Sequence, residues 1–356
     1  MNGRNRMGHN KDSLKKKKCM RYLPVLCLMG CLTLLGGCGR TRENAQKQAE
    51  ETEKEDVTYT VQREESSLAK WKSDLPEGKT EGVSAPAIRG LCVSMEGKPF
   101  FAVSYEPREY KNSFDCWAIS VPYESMVSVD TEVMYDYFQM VADLELGRTE
   151  NISRKQTGIE EGNRSIFVAY YEGQTEAGGQ AQPDKGLLYQ FGKEDGEGNY
   201  YVEAADQIWT VKKAAADELF ALHPYDFVLK VVSIVSVETV SKVKIDTGEK
   251  EYVMEAEEGG FTFDGRAVDE SVFYGLYTEL MSIFIEKEIP EDGEGIGGEV
   301  LLRVTYQRNN KEAPQITQEY YVYDETYAVA RVNETEFFLV SREAVEGLMG
   351  EIAGAF

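Results

Sequence analysis

The chain repeats itself, and that repetition limits what it can fold into more than any other feature. Val129-Asp130-Thr131-Glu132-Val133 opens one segment and Val268-Asp269-Glu270-Ser271-Val272 opens another, 139 residues on. After each, apolar residues recur at matching places: Val133, Tyr137, Val141 and Leu144, then Val272, Leu276, Leu280 and Ile283. Spacings of i, i+4, i+8 and i+11 place one side of a helix against a core. Asp130 and Asp269 stand where an N-cap belongs, so each carboxylate is expected to accept from free N–H groups of the first turn. Glu132 and Glu270 suit the positive end of the helix dipole.

The match continues downstream. Gly158-Ile159 followed by Ile166-Phe167-Val168-Ala169-Tyr170 corresponds to Gly295-Ile296 followed by Leu302-Arg303-Val304-Thr305-Tyr306, at offsets of 137 and 136. Ile208-Trp209-Thr210-Val211 corresponds to Phe337-Phe338-Leu339-Val340, and Leu219 to Leu348, at 129. Offsets that drift only through loops, with the order of elements kept, argue for duplication. Upstream, Trp117-Ala118-Ile119 precedes Asp130 much as Phe261-Thr262-Phe263 precedes Asp269.

One unit therefore reads strand, strand, helix, strand, hairpin, helix. The expected class is α+β: two tandem copies of that unit, with mainly antiparallel sheets packed by helices. Reversals are expected at Glu96-Gly97, Asp195-Gly196, Thr247-Gly248 and Asp264-Gly265. Residues Gly173 to Gly186 read as an exposed loop. His223-Pro224 ends the first unit, because the residue before proline disfavours helix. Val228 to Val237 reads as the strand that opens the second. The expected divisions are 1–37, 38–82, 83–223 and 224–356.

The first two divisions concern an address. Tyr22 to Cys38 follows a basic leader with Lys15, Lys16, Lys17 and Lys18. A positive region, a short apolar run and small residues before a cut site make a secretory signal rather than a membrane span. A span needs about 18 apolar residues. Leu35-Gly36-Gly37-Cys38 resembles the lipobox of bacterial lipoproteins. That resemblance implies diacylglycerol on the Cys38 thiol, cleavage of 1–37, palmitate-class acyl chains, and a chain held outside the cytoplasm at the membrane. One acyl chain anchors only marginally, and a lipidated cysteine carries at least two. Residues 38–82, beginning with a stretch rich in Glu, Gln, Lys and Thr, read as a lipidated N-terminus and flexible acidic tether.

Charge excludes one class of partner. The chain carries 39 Lys plus Arg against 62 Asp plus Glu, a formal charge of −23. Removing a leader with eight basic residues and one Asp moves that to −30. Such a surface repels nucleic acid, and no basic stripe offsets it. Cleavage leaves three cysteines. With Cys38 acylated, Cys92 and Cys116 are a candidate disulfide or two buried thiols.

Catalytic constellations are hard to find. After cleavage His223 stands alone, which excludes a multi-histidine zinc site. Gly293-Glu294-Gly295-Ile296-Gly297-Gly298 formally fits G-x-G-x-x-G, but Glu288, Glu291 and Asp292 precede it and a strand follows. Carboxylates there would repel a phosphate, so nucleotide binding is rejected. Carboxylate pairs such as Glu257-Glu258 arise by chance in so acidic a chain and read as solvated turns. The loops Glu194 to Asn199 and Glu291 to Glu294 lack an EF-hand pattern. Trp71, Trp117 and Trp209, with the many Tyr residues, suit either a sugar- or peptide-binding surface or core packing. No catalytic residue, cofactor or metal is expected.

The order of motifs is distinctive: Trp117-x-Ile119-x-x-Pro122, Val129-Asp130-x-x-Val133, Gly158-Ile159, Phe191-Gly192 with Asn199-Tyr200-Tyr201-Val202, then Ile208-Trp209-x-Val211. It resembles the bacterial domain-of-unknown-function family 4340, over roughly residues 87–356. The chain departs from that family at Gly162-Asn163, where members often carry a proline, and at Phe261, where the second copy lacks the tryptophan. The resemblance implies no enzymatic activity. It implies an extracytoplasmic auxiliary protein of ABC-type transport systems, including gliding-type machinery, with transporter subunits as partners. A solute- or glycan-binding envelope lipoprotein and a cell-envelope hydrolase are the competing classes.

Overall fold

The structure is a computed structural model that describes residues 66–107, 116–123, 127–149, 151–160, 163–173, 181–257, 259–290, 298–311 and 313–355. The chain starts this body with helix α1 (Leu68–Asp74), then two antiparallel strands, β1 (Ile88–Met95) and β2 (Lys98–Tyr105). Glu96 and Gly97 join them, both at positive φ (51° and 73°), as the twist of a two-residue hairpin requires. β3 (Trp117–Val121) and β4 (Val127–Ser128) follow, then helix α2 (Thr131–Ala142) and β5 (Gly147–Arg148). A one-turn helix α3 (Arg154–Thr157) leads into β6 (Ser165–Tyr170), β7 (Lys185–Glu194), β8 (Asn199–Ala204), β9 (Gln207–Lys212) and helix α4 (Lys213–Phe220).

The second half runs through the same sequence of elements. β10 (Val240–Asp246), β11 (Glu251–Glu257), β12 (Gly260–Phe263) and β13 (Arg266–Val268) precede helix α5 (Glu270–Leu280) and β14 (Ile285–Glu288). β15 (Val300–Arg308), β16 (Gln315–Val322), β17 (Tyr327–Val332) and β18 (Thr335–Ser341) end in helix α6 (Arg342–Gly354). The sheets are ordered β4-β3-β2-β1-β6-β7-β8-β9-β5 and β13-β12-β11-β10-β15-β16-β17-β18-β14. Every strand of one has its counterpart nine strands later in the other. Both sheets lie within one compact unit, residues 59–356.

The class differs from the expected α+β arrangement of helices packing sheets. The structure is mostly β: two nine-stranded sheets dominate, with 43% strand against 26% helix among the described residues. The reason is physical. Strands of two to four residues, such as β4, β5, β12, β13 and β14, are too short to show a period of two. They are added by hydrogen bonding at the sheet margins, which sequence patterning does not display.

Each sheet has one face against a hydrophobic core. In the first, Ile88, Leu91, Val93, Phe101 and Val103 meet Met134, Phe138 and Val141 of α2. In the second, Val243, Ile245 and Val304 meet Phe273, Tyr277 and Leu280 of α5, and Val345, Leu348 and Ile352 of α6. Buried stripes on the helices follow i, i+4, i+7 or i, i+3, i+7 spacing, as an amphipathic helix requires. In α2 and α5 they start one residue later than the expected stripe. Met134 and Phe273 go inside, Val133 is half-buried, and Val272 is exposed. Asp130 caps α2, accepting from the N–H groups of Glu132 (3.1 Å) and Val133 (3.3 Å). Asp269 occupies the N-cap position of α5, but its side chain makes no capping bond.

The opposite faces differ. β1 reads Ile-Arg-Gly-Leu-Cys-Val-Ser-Met and is buried on both sides almost throughout, whereas β10 reads Val-Ser-Lys-Val-Lys-Ile-Asp and alternates buried with half-exposed positions. What covers β1 is the segment assigned above to the tether. Residues 66–82 are folded: Leu68 and Trp71 of α1 pack on Cys92, Ala102, Phe167 and Ala169. Gly78 N–H donates to the Gly186 carbonyl (2.8 Å), and Gly186 N–H donates to the Pro76 carbonyl (3.0 Å). The Tyr170 hydroxyl accepts from Lys79 N–H (2.9 Å) and donates to its carbonyl (3.0 Å). On the second sheet the equivalent face carries charge pairs instead: Lys242–Glu255 (2.7 Å) and Arg303–Glu319 (2.7 Å).

A side chain at Gly90 would collide with this covering segment, since its Cβ would stand 2.6 Å from Leu68 Cδ1 and 2.9 Å from Trp71. Gly90→Val is expected to lift α1 from the sheet, costing about 1–3 kcal/mol. Limited trypsin digestion should then cut at Lys70, Lys72 or Lys79 faster than in the parent, with the far-ultraviolet spectrum of the sheets unchanged. Equal protection of these lysines would contradict the packing described.

Candidate functional site

The run Val228 to Val237, expected as a strand, is instead an irregular connection bonded to both sheets. Val228 bridges Val129 and Val231 bridges Phe284, both antiparallel. Leu229 N–H donates to the Ser128 carbonyl (2.9 Å), and Ile285 N–H donates to the Lys230 carbonyl (3.1 Å). Asp130 N–H donates to the Phe227 carbonyl (2.8 Å) just before the run. Its backbone therefore satisfies groups at two different sheet margins instead of pairing with one neighbour. The second sheet begins only at β10.

Side chains from both copies converge on this seam. The Tyr123 hydroxyl, from the first copy, donates to Glu288 Oε1 of β14 (2.9 Å). Its ring packs edge-on against Phe338 of β18 at 5.4 Å between centroids, and Tyr225 lies 6.1 Å from the same ring. Ile285 and Phe338, both from the second copy, are buried in the core of the first. Lys230 lies in the middle. Its ammonium donates to the Tyr225 carbonyl and stands 3.5 Å from the centre of the Tyr225 ring.

Burial pushes the Lys230 amine down to about 8, against the opposing pull of Asp226, Asp130 and Glu288. Burial, reinforced by the Glu288 charge, raises the Tyr123 phenol well above its ordinary range, so it stays a neutral donor. The arrangement suits a seam whose one amine is expensive to keep charged. Such a group stands out as a functional-site candidate on physical grounds. In the sequence its signal was a single lysine within Val228-Leu229-Lys230-Val231-Val232, hidden by the assumption that an apolar run is a strand.

The residues singled out from sequence are dispersed. Cys38 lies outside the described residues, as do positions 293–297 of the glycine-rich run, Glu258 and the 291–294 loop. Cys92 pairs opposite Ala102 in β2, while the Cys116 carbonyl accepts from Glu106 N–H (2.6 Å). Glu106 lies four positions along the chain from Ala102, roughly 14 Å at 3.4 Å per residue. That is far beyond the reach of a disulfide. Both are buried thiols in this structure, and burial raises the Cys92 pKa. His223 is exposed and precedes the turn Pro224–Phe227. Trp71, Trp117 and Trp209 are all buried packing residues, Trp209 donating its indole N–H to the Ala204 carbonyl (3.1 Å).

In the 194–199 loop, Asp195 spends both oxygens on its own turn. Oδ1 accepts from Glu197 N–H (2.7 Å) and Asn199 N–H (3.1 Å), and Oδ2 accepts from the Asn199 amide (2.7 Å). These bonds, the Asn199 amide foremost, hold the Asp195 carboxyl below its usual range. A different buried carboxylate was missed from sequence. Glu106 holds the start of α1, accepting from Ser67 N–H (2.6 Å), Ser67 Oγ (2.9 Å) and Ser104 Oγ (2.8 Å).

Among the described residues, no group of three or more His, Cys, Asp or Glu is placed to hold a metal ion. No described helix is long and apolar enough to cross a membrane. No family model, no curated protein and no solved structure matches this chain. The family resemblance therefore rests on the motifs quoted for it.

The depressed Lys230 pKa has a consequence for stability. Between about pH 8 and the unfolded value near 10.5, the unfolded chain binds the proton and the folded chain does not. The charged amine therefore costs stability at all pH values below 8, and the cost disappears as pH rises through that window. Lys230→Met is expected to stabilise the protein at pH 7 by about 1 kcal/mol, after allowance for screening of a half-exposed group. The difference from the parent, followed by denaturant unfolding, should shrink steadily from pH 8 to 10.5. A Lys230→Met variant less stable than the parent at pH 7 would contradict the assignment of burial as the dominant effect.

Proposed function

We propose that this chain is a lipid-anchored extracytoplasmic scaffold or binding protein that works beside a membrane transport system of the ABC type. The observation that carries this reading is Leu35-Gly36-Gly37-Cys38 behind a basic leader and a short apolar run. The order of motifs from Trp117 to Val211 supports the transporter as partner. Two features of the folded body fit a contacting role. The two sheets are tied through a shared seam, which gives a partner a fixed surface. The 27 residues from Gly39 to Glu65 span at most about 90 Å when fully extended, which keeps the body near the bilayer.

Crosslinking in native membranes, followed by identification of the captured proteins, tests the reading. Transporter subunits are expected among the products from the wild-type chain and should be lost with Cys38→Ala. That variant should leave the membrane fraction or accumulate unprocessed. Recovery of no transporter subunit from wild type would overturn the partner assignment. A Cys38→Ala chain that is cleaved and retained like wild type would overturn the anchor.

A further inference from the structure

The two copies can be compared residue by residue on the outer faces of their helices. Aligning α2 with α5 from their N-cap aspartates pairs Thr131 with Glu270, Glu132 with Ser271, Asp136 with Gly275, Gln139 with Thr278 and Met140 with Glu279. The outward residues have diverged at every one of these positions. Two outward positions are kept: the third after the cap, Val133 and Val272, and the fifth, Tyr135 and Tyr274, each tyrosine 39% exposed. Each tyrosine lies against the equivalent aromatic of its sheet: Tyr135 on Trp117 (6.1 Å, 80°) and Tyr274 on Phe261 (5.6 Å, 67°).

Covering Trp117 and Phe261 calls only for an apolar side chain and does not require a tyrosine at both places. The surroundings add charge. Exposed Glu132 stands one turn before Tyr135 on its helix, and exposed Glu270 stands one turn before Tyr274 on its own. Neither helix contains a Lys, Arg or His, in a chain of formal charge −23. An exposed tyrosine ring beside carboxylates attracts a cation through its face and through Coulomb forces at once.

We propose that the outer faces of α2 and α5 are two equivalent docking sites for Lys- and Arg-bearing polypeptide segments, one site on each copy. Complementary charge fixes the class of occupant, and the acidic surface speeds its arrival. Two linked sites on one body let a partner with two basic segments gain from effective concentration, even when each contact is weak. The inference deepens the scaffold reading by naming the chemistry of the partner. It can be tested in solution, where the fate of the anchor has no bearing on the result.

The test is calorimetric titration of the full chain with a dodecapeptide of alternating Arg and Gly, at low and moderate salt. The expected result is two sites per chain that weaken as salt rises. Tyr135→Leu and Tyr274→Leu keep an apolar cover over Trp117 and Phe261, and each should reduce the stoichiometry from two to one. The double variant should bind at least tenfold more weakly. Tyr135→Phe retains the ring and should keep its site, which separates loss of binding from loss of fold. Neutralising Glu194 and Glu197 to Gln on the β7–β8 turn should leave both sites intact. The proposal is overturned if wild type does not bind, if the double variant binds like wild type, or if the Glu194/Glu197 variant loses as much. Binding of a chito-oligosaccharide at these tyrosines in place of the peptide would likewise overturn it.

Discussion

The short backbone stretch from Phe227 to Val231 holds the architecture together. It donates to Ser128 of β4 and accepts from Asp130 at the cap of α2 on one side, and accepts from Ile285 at the start of β14 on the other. A connection between two repeats would ordinarily be the place where they separate. Here its peptide groups are committed to both sheets, so parting the copies would strand donors and acceptors at a buried seam. Tyr123, Tyr225, Ile285 and Phe338 close over that backbone from both copies. Lys230 is a charge retained inside the seam at a cost, which is unusual where packing alone would be served by an apolar residue.

With the copies tied, their differences become informative. The core-facing sides follow one plan, with helices at equivalent places and buried aromatics in matching strands. The reverse sides do not. The first sheet receives residues 66–82, seated by Trp71 against the bare surface of Gly90 and held by Glu106 at the start of α1. The second sheet exposes a polar face crossed by Lys–Glu and Arg–Glu pairs. The strands carry this difference: Ile88–Met95 is buried on both faces almost throughout, and Val240–Asp246 alternates. The chain leading from Cys38 thus arrives on one copy only, while the tyrosine-bearing helices are kept on both.

Much of the plan was legible from residues. The pairing of Ile166–Tyr170 with Leu302–Tyr306, and of Ile208–Val211 with Phe337–Val340, falls on strands at equivalent places in the two sheets. Period and spacing survive duplication, which is why these matches are visible without structure. The short marginal strands were invisible because two to four residues cannot display a period. The Val228–Val237 run misled for the opposite reason, since apolar composition there reflects burial between two margins and not membership of a ladder. The seam was illegible because its hydrogen-bonded partners Tyr123 and Glu288 lie 165 residues apart, with nothing local to mark them. Glu106 was hidden likewise, its meaning resting on Ser67, 39 residues upstream.

Two copies of one sheet plan bonded through a shared seam should unfold as a single cooperative body. Differential scanning calorimetry of the full chain tests it most directly. The account predicts one transition whose calorimetric enthalpy equals the van't Hoff enthalpy. Two resolved transitions, or a calorimetric enthalpy near twice the van't Hoff value, would show that the copies unfold independently and would contradict it.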